Sequence, residues 1–161
     1  MMGRKESGPC IQNISDRKVR VVWLSKLHAC NADAASAATE RRLMLLPEEL
    51  RRSMTQDNGS ENANHAAEEE KLKLKQHFCH PYSAWERGTV EKLNRSAVRR
   101  FFPKGTDFSD VNFSQVSEAE TFSNNRPMKC LGFRTPIEML AEELKPFNLT
   151  PADIGLQHVP W

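Results

Sequence analysis

Two spacings of apolar residues divide this chain. Val19, Val21, Val22, Trp23 and Leu24 form a β-branched and aromatic run that predicts a strand. A short extended segment from Cys10 to Ile14 precedes it across the turn-like Ser15-Asp16-Arg17-Lys18, so the pair predicts a hairpin. Helical spacing takes over with Ala38, Leu43 and Leu46, which predict a helix over 34–46 with Asp33 as its N-cap and Pro47 beyond its end. Leu50 to Gln56 leads into Asp57-Asn58-Gly59, a strong turn signal. A thinly patterned helix over 63–74 and a short strand over 74–79 follow.

The clearest helical stripe is Val90, Leu93, Ala97, Val98 and Phe101, ended by Pro103. A weaker helix is predicted over 115–122, then a loop at Asn124-Asn125-Arg126-Pro127. A last helix over 136–144 opens with Pro136 after Thr135, a favourable first-turn pattern. From Pro146 onward no period is visible, which predicts a poorly packed tail. Strands and helices in this order predict an α/β or α+β domain. The expected division is a core over 1–140 and an extension over 141–161.

Composition narrows the class. With 161 residues, 39% of them apolar, the chain can build one modest core. No run approaches the roughly 18 apolar residues of a membrane span, and the first residues lack an apolar signal core. A cytoplasmic protein with no membrane partner is expected. Cys10, Cys30, Cys79 and Cys130 are irregularly spaced and predict reduced thiols. His77, Cys79 and His80 lack a second ligand pair at zinc-site spacing.

Charge adds a local signal that the net value of +2 hides. Arg87, Lys92, Arg95, Arg99, Arg100 and Lys104 stand against one acid, Glu91. Lys92, Arg95 and Arg99 fall at helical spacing and could face DNA together; a solvated helix face explains them equally well. Glu68, Glu69 and Glu70 read as a solvated acidic face. Two acids stand out by context. Asp57 ends a predicted strand at an Asn-Gly turn, and Glu91 borders the apolar stripe of the best helix. Such a pair can share a hard divalent cation, and two such ions can support phosphoryl transfer.

Longer words sharpen this reading. They are Thr-Gln-Asp-Asn-Gly-Ser-Glu at 55–61, Phe-Cys-His-Pro-Tyr-Ser-Ala-Trp-Glu-Arg-Gly-Thr-Val-Glu at 78–91 and Arg-Arg-Phe-Phe-Pro-Lys-Gly-Thr-Asp-Phe at 99–108. Asn-Asn-Arg-Pro-Met-Lys-Cys-Leu-Gly-Phe-Arg-Thr-Pro follows at 124–136, and 33 residues separate Asp57 from Glu91. In these words and their order, the chain closely resembles the insertion-sequence thirty family of bacterial DDE transposases, over roughly Ile14 to Leu140.

The resemblance implies a ribonuclease H-like α/β fold with a mixed five-stranded sheet and flanking helices. It implies DNA transposition and integration by metal-dependent strand cleavage and strand transfer. Asp57 would be the second catalytic acid and Glu91 the third, both holding Mg²⁺ in a two-ion site. Asn58, Gly59, Arg87, Lys92, Arg95 and Arg99 would contact DNA, with element terminal repeats and target DNA as partners and a homo-oligomer or full-length transposase as further ones. The family's first acid and first strand are expected upstream of Met1. The alternative is a catalytically inactive remnant that only binds DNA or full-length transposase. Asn62 stands where the family usually has Phe.

Overall fold

The computed structural model describes residues 8–59, 62–80, 88 and 98–159. Strand β1 (Cys10–Ser15) and strand β2 (Val22–Leu27) form the expected antiparallel hairpin, with Ile14 opposite Trp23 and Cys10 opposite Leu27. The Asp16 carboxylate accepts the Lys18 and Val19 amides, both at 2.7 Å, and so closes the turn. Helix α1 (Ala32–Leu43) follows; its N-cap is Asn31, whose Oδ1 accepts the Ala34 amide, so the expected cap Asp33 instead lies in the first turn. Strand β3 (Ser53–Gln56), helix α2 (His65–Leu72) and strand β4 (Lys75–Phe78) form a right-sized crossover, with β3 parallel to β4.

A single helical turn, α3 (Arg99–Phe101), precedes helix α4 (Phe113–Asn124) and helix α5 (Pro136–Leu144). Reciprocal side-chain and backbone bonds close the first turn of both long helices, Asn112 with Gln115 and Thr135 with Glu138. The predicted helix around Glu91 lies outside the described residues, apart from its end at Val98 and α3.

The hairpin is covered on both faces, which explains the unbroken apolar run at its second strand. Val21 and Trp23 join Leu43, Leu72, Ile137 and Leu144 on one side. Val22 and Leu24 join Ile11, Val98, Phe102 and Val116 on the other. The expectation of a poorly packed tail is corrected: Ile154 and Leu156 are buried in the first of these clusters. Asn125 ties the tail down, donating to the Gln157 carbonyl and accepting the Val159 amide.

Cys10 and Cys30 form a disulfide, which corrects the expectation of reduced thiols for that pair. The hairpin causes the meeting. It returns the chain beside its start, where the Cys30 amide donates to the Gly8 carbonyl. Sequence spacing alone could not show this.

The described strands form two two-stranded ladders, β1-β2 and β3-β4, where the resemblance implied one mixed sheet. An exposed ion pair, Lys18 with Glu143 at 2.6 Å, links the hairpin turn to α5. Lys18→Ala should shift stability by less than about 1 kcal/mol in urea denaturation, because solvent screens such pairs.

Candidate functional site

Asp57 is the first residue beyond β3, so the ladder delivers it to a strand end. Main-chain bonds hold that end. The Cys79 amide donates to the Gln56 carbonyl, and Asn58 Nδ2 donates to the Cys79 carbonyl at 3.0 Å. Asn58 therefore locks the turn against the end of β4. The Gly59 carbonyl accepts the Asn62 amide at 3.0 Å, which folds the chain back over Asp57. Asn62 Nδ2 then donates to Asp57 Oδ1 at 3.0 Å and to the Asp57 carbonyl at 2.9 Å.

Asn62 is thus the positioning residue for this carboxylate. In the sequence alone, Asn62 marks only the loss of the family's usual aromatic residue. No periodicity signals such a role, because the bond joins Asn62 to a residue five positions back that shares no repeating pattern with it. A second miss lies further along the chain, at Glu68 on α2. Glu68 is buried and accepts from Gln76 Nε2 at 2.9 Å and Gln56 Nε2 at 3.5 Å, bracing both strands of the ladder. The expected solvated acidic face is corrected at this position. A helix of eight residues turns one side inward, and Glu68 and Leu72 share that side.

Asp57 and Asn62 border a cavity of about 410 Å³ that runs between β1 and β3. Gln12, Ile14, Trp23, Leu46, Met54 and Leu140 also line it. Arg51 and Arg52 stand at its rim with Asp16 and Glu143, so both signs of charge are present.

Of the other predicted site residues, Arg99 is exposed at the start of α3 and does not line this cavity. Beside it, Arg100 lies over the Phe122 ring at 5.0 Å. Glu91, Arg87, Lys92 and Arg95 lie outside the described residues. Among the described residues, no three His, Cys, Asp or Glu side chains gather into a metal-sized group. Asp57 brings a carboxylate to this cavity mouth, and its Oδ1 accepts from Asn62.

Comparison with known proteins decides the relationship. The chain is 38% identical over 138 residues to the transposase for insertion sequence element IS4351 of Bacteroides fragilis, covering 86% of this chain and 41% of that protein. It is 35% identical over 130 residues to transposase InsI for element IS30A of Escherichia coli K12, covering 81% of this chain and 34% of that protein. This chain is a relative of the IS30-type transposases. It spans between 34% and 41% of the length of these curated relatives. No protein-family model matches it.

Solved structures agree on the fold. A chain of the simian T-cell lymphotropic virus intasome in complex with PP2A regulatory subunit B56 gamma superposes with a TM-score of 0.61 at 16% identity, covering 84% of this chain and 55% of that one. The catalytic core domain of BIV integrase superposes with a TM-score of 0.56 at 17% identity, covering 90% of this chain and all of that one. The IS30-type relative therefore has the ribonuclease H-like fold of integrase catalytic cores, as the sequence words implied. Among its described residues, no helix is long and apolar enough to cross a membrane.

Proposed function

We propose that this chain is part of a DDE-type transposase catalytic domain that acts on DNA by metal-dependent phosphoryl transfer. The observation that carries this reading is the placement of Asp57. An acid inside a transposase-like word stands at the end of a parallel ladder, on a cavity mouth, and is oriented by Asn62. A divalent cation would be held by Asp57 with Glu91, and it would supply charge stabilisation at the attacking and leaving oxygens.

The chain's own residues do the positioning. Asn62 fixes the rotation of the Asp57 carboxylate, and Asn58 fixes the strand end beneath it. Gly59 carries no side chain to obstruct a backbone phosphate approaching the turn. Arg87, Lys92, Arg95 and Arg99 would supply phosphate contacts, which position DNA without reading its sequence. Element ends and target DNA would be the substrates, and a second transposase copy the protein partner.

Mn²⁺ titration followed by electron paramagnetic resonance tests the reading. Saturable binding is expected, reduced at least about tenfold in Asp57→Asn and in Glu91→Gln. Equal binding by all three chains would overturn the assignment. Asn62→Ala should weaken Mn²⁺ binding less than Asp57→Asn, by about threefold to tenfold, because it removes orientation and leaves the ligand. Salt dependence of binding to a short DNA duplex tests the arginines and lysines. Each lost phosphate contact should lower the log–log slope by about 0.9.

A further inference from the structure

Asn62 orients the Asp57 carboxylate, and a second set of bonds fixes Asn62 itself. His65 opens α2, and its Nδ1 lies 3.2 Å from the Asn62 main-chain carbonyl. A carbonyl oxygen can only accept, so in this contact Nδ1 carries the proton and donates. Asn64, between the two, turns elsewhere. Its Nδ2 donates to Asp33 Oδ1 at 2.8 Å, and its side chain makes no cap bond to α2. The His65 ring therefore ties the start of the helix to Asn62.

His65 is held in turn from β4. Its ring meets Phe78 edge to face, with centroids 4.9 Å apart and planes at 83°. Its main-chain carbonyl accepts from Gln76 Nε2 at 3.2 Å. The same nitrogen donates to buried Glu68 at 2.9 Å. Gln76 and Phe78 pair with Met54 and Gln56 of β3. The strand beside the one that delivers Asp57 thus sets the place of the His65 ring.

A continuous path results. It runs from Gln76 and Phe78 through His65 to Asn62 and ends on Asp57 Oδ1. The Asn62 amide must reach both the Asp57 carbonyl, at 2.9 Å, and Asp57 Oδ1, at 3.0 Å. A short side chain meets two acceptors at once only from a fixed stretch of backbone. The bond from His65 helps to fix it.

We propose that His65 is a positioning residue for the Asp57 carboxylate, acting through the main chain of Asn62. Its meaning for catalysis rests on the metal reading of Asp57; the path of bonds itself needs no metal.

Three variants of the intact chain test this. In asparagine the amide nitrogen takes the place of Nδ1. In glutamine it takes the place of Nε2, away from the Asn62 carbonyl, and phenylalanine keeps the ring on Phe78 without a donor. His65→Asn should keep the path; His65→Gln and His65→Phe should break it. Circular dichroism identifies a variant that fails to fold, and the other of that pair then carries the test.

The first readout is hydrogen exchange of the Asn62 side-chain amide by NMR in EDTA, its signals assigned by their loss in Asn62→Ala. Exchange should be about tenfold faster in His65→Gln and His65→Phe than in the native chain, and native-like in His65→Asn. Equal exchange in all of these chains would overturn the proposal. Faster exchange in all three variants means that the ring acts by packing, and also overturns it.

The second readout is Mn²⁺ affinity by electron paramagnetic resonance. His65→Gln and His65→Phe should weaken binding about threefold, and His65→Asn should not. Asn62→Ala keeps the carbonyl that His65 bonds but removes the orienting amide. Adding His65→Phe to it should therefore cost nothing further, whereas additive losses mean another route and overturn the proposal. A native chain without saturable Mn²⁺ binding sinks the metal reading alone, and amide exchange then decides for or against His65.

Discussion

Glu120→Ala is expected to destabilise the fold by about 3–5 kcal/mol, the cost of breaking a buried ion pair from one side. Glu120 is 6% exposed, and its Oε2 accepts the Leu24 amide at 2.6 Å and Arg42 at 3.1 Å. Alanine would strand the Arg42 guanidinium in a partly buried site and leave the Leu24 N–H without its acceptor. Both losses fall on the outer edge of the central hairpin. Urea denaturation monitored by circular dichroism measures the change, and a loss under about 1 kcal/mol would contradict this account.

Protonation of Glu120 adds a pH signature. Burial raises its pKa above the ordinary 4.5, against the opposing pull of Arg42 and the Leu24 amide. The fold therefore favours the protonated acid. This contribution to stability is complete below about 4.5, the unfolded value, and is lost as pH rises through the folded pKa. Glu120→Gln keeps an acceptor for Leu24 and cannot titrate. Relative to that variant, the native chain should lose stability as pH climbs through this window. No contradiction arises with the alanine prediction, since a pKa compares two protonation states and alanine removes both.

Asn124→Ala should cost about 2–4 kcal/mol, on the same measurement. The Asn124 side chain imitates a neighbouring strand: Oδ1 accepts the Val22 amide and Nδ2 donates to the Val22 carbonyl, both at 2.8 Å. Asn124 is only 1% exposed, so water cannot replace either bond. Alanine orphans one buried donor and one buried acceptor, each worth about 1–3 kcal/mol when left unmade. Asn124→Asp keeps the acceptor, loses the donor and buries a charge, so it should be no better than alanine. Recovery of full stability in Asn124→Asp would mean that the Val22 carbonyl finds another donor.

The sequence by itself determined the elements and the kinship. β-branched crowding marked the hairpin, Pro136 after Thr135 marked α5, and the words around Asp57 marked the transposase relationship. These are local signals, carried by neighbours in the chain. Tertiary structure decided what depends on distant partners. The predicted loop residue Asn124 ends α4 and serves as a surrogate strand, because its amide meets Val22 102 residues away. Glu68 left the expected solvent face because Gln56 and Gln76 reach it across a ladder. Asn62 gained a role through a bond to Asp57 that no period encodes. The tail packed because Ile154 and Leu156 found the core, although they repeat at no regular interval. Periodicity reports which face of an element is apolar; only the assembled fold shows which polar groups are left on a closed face and must find each other.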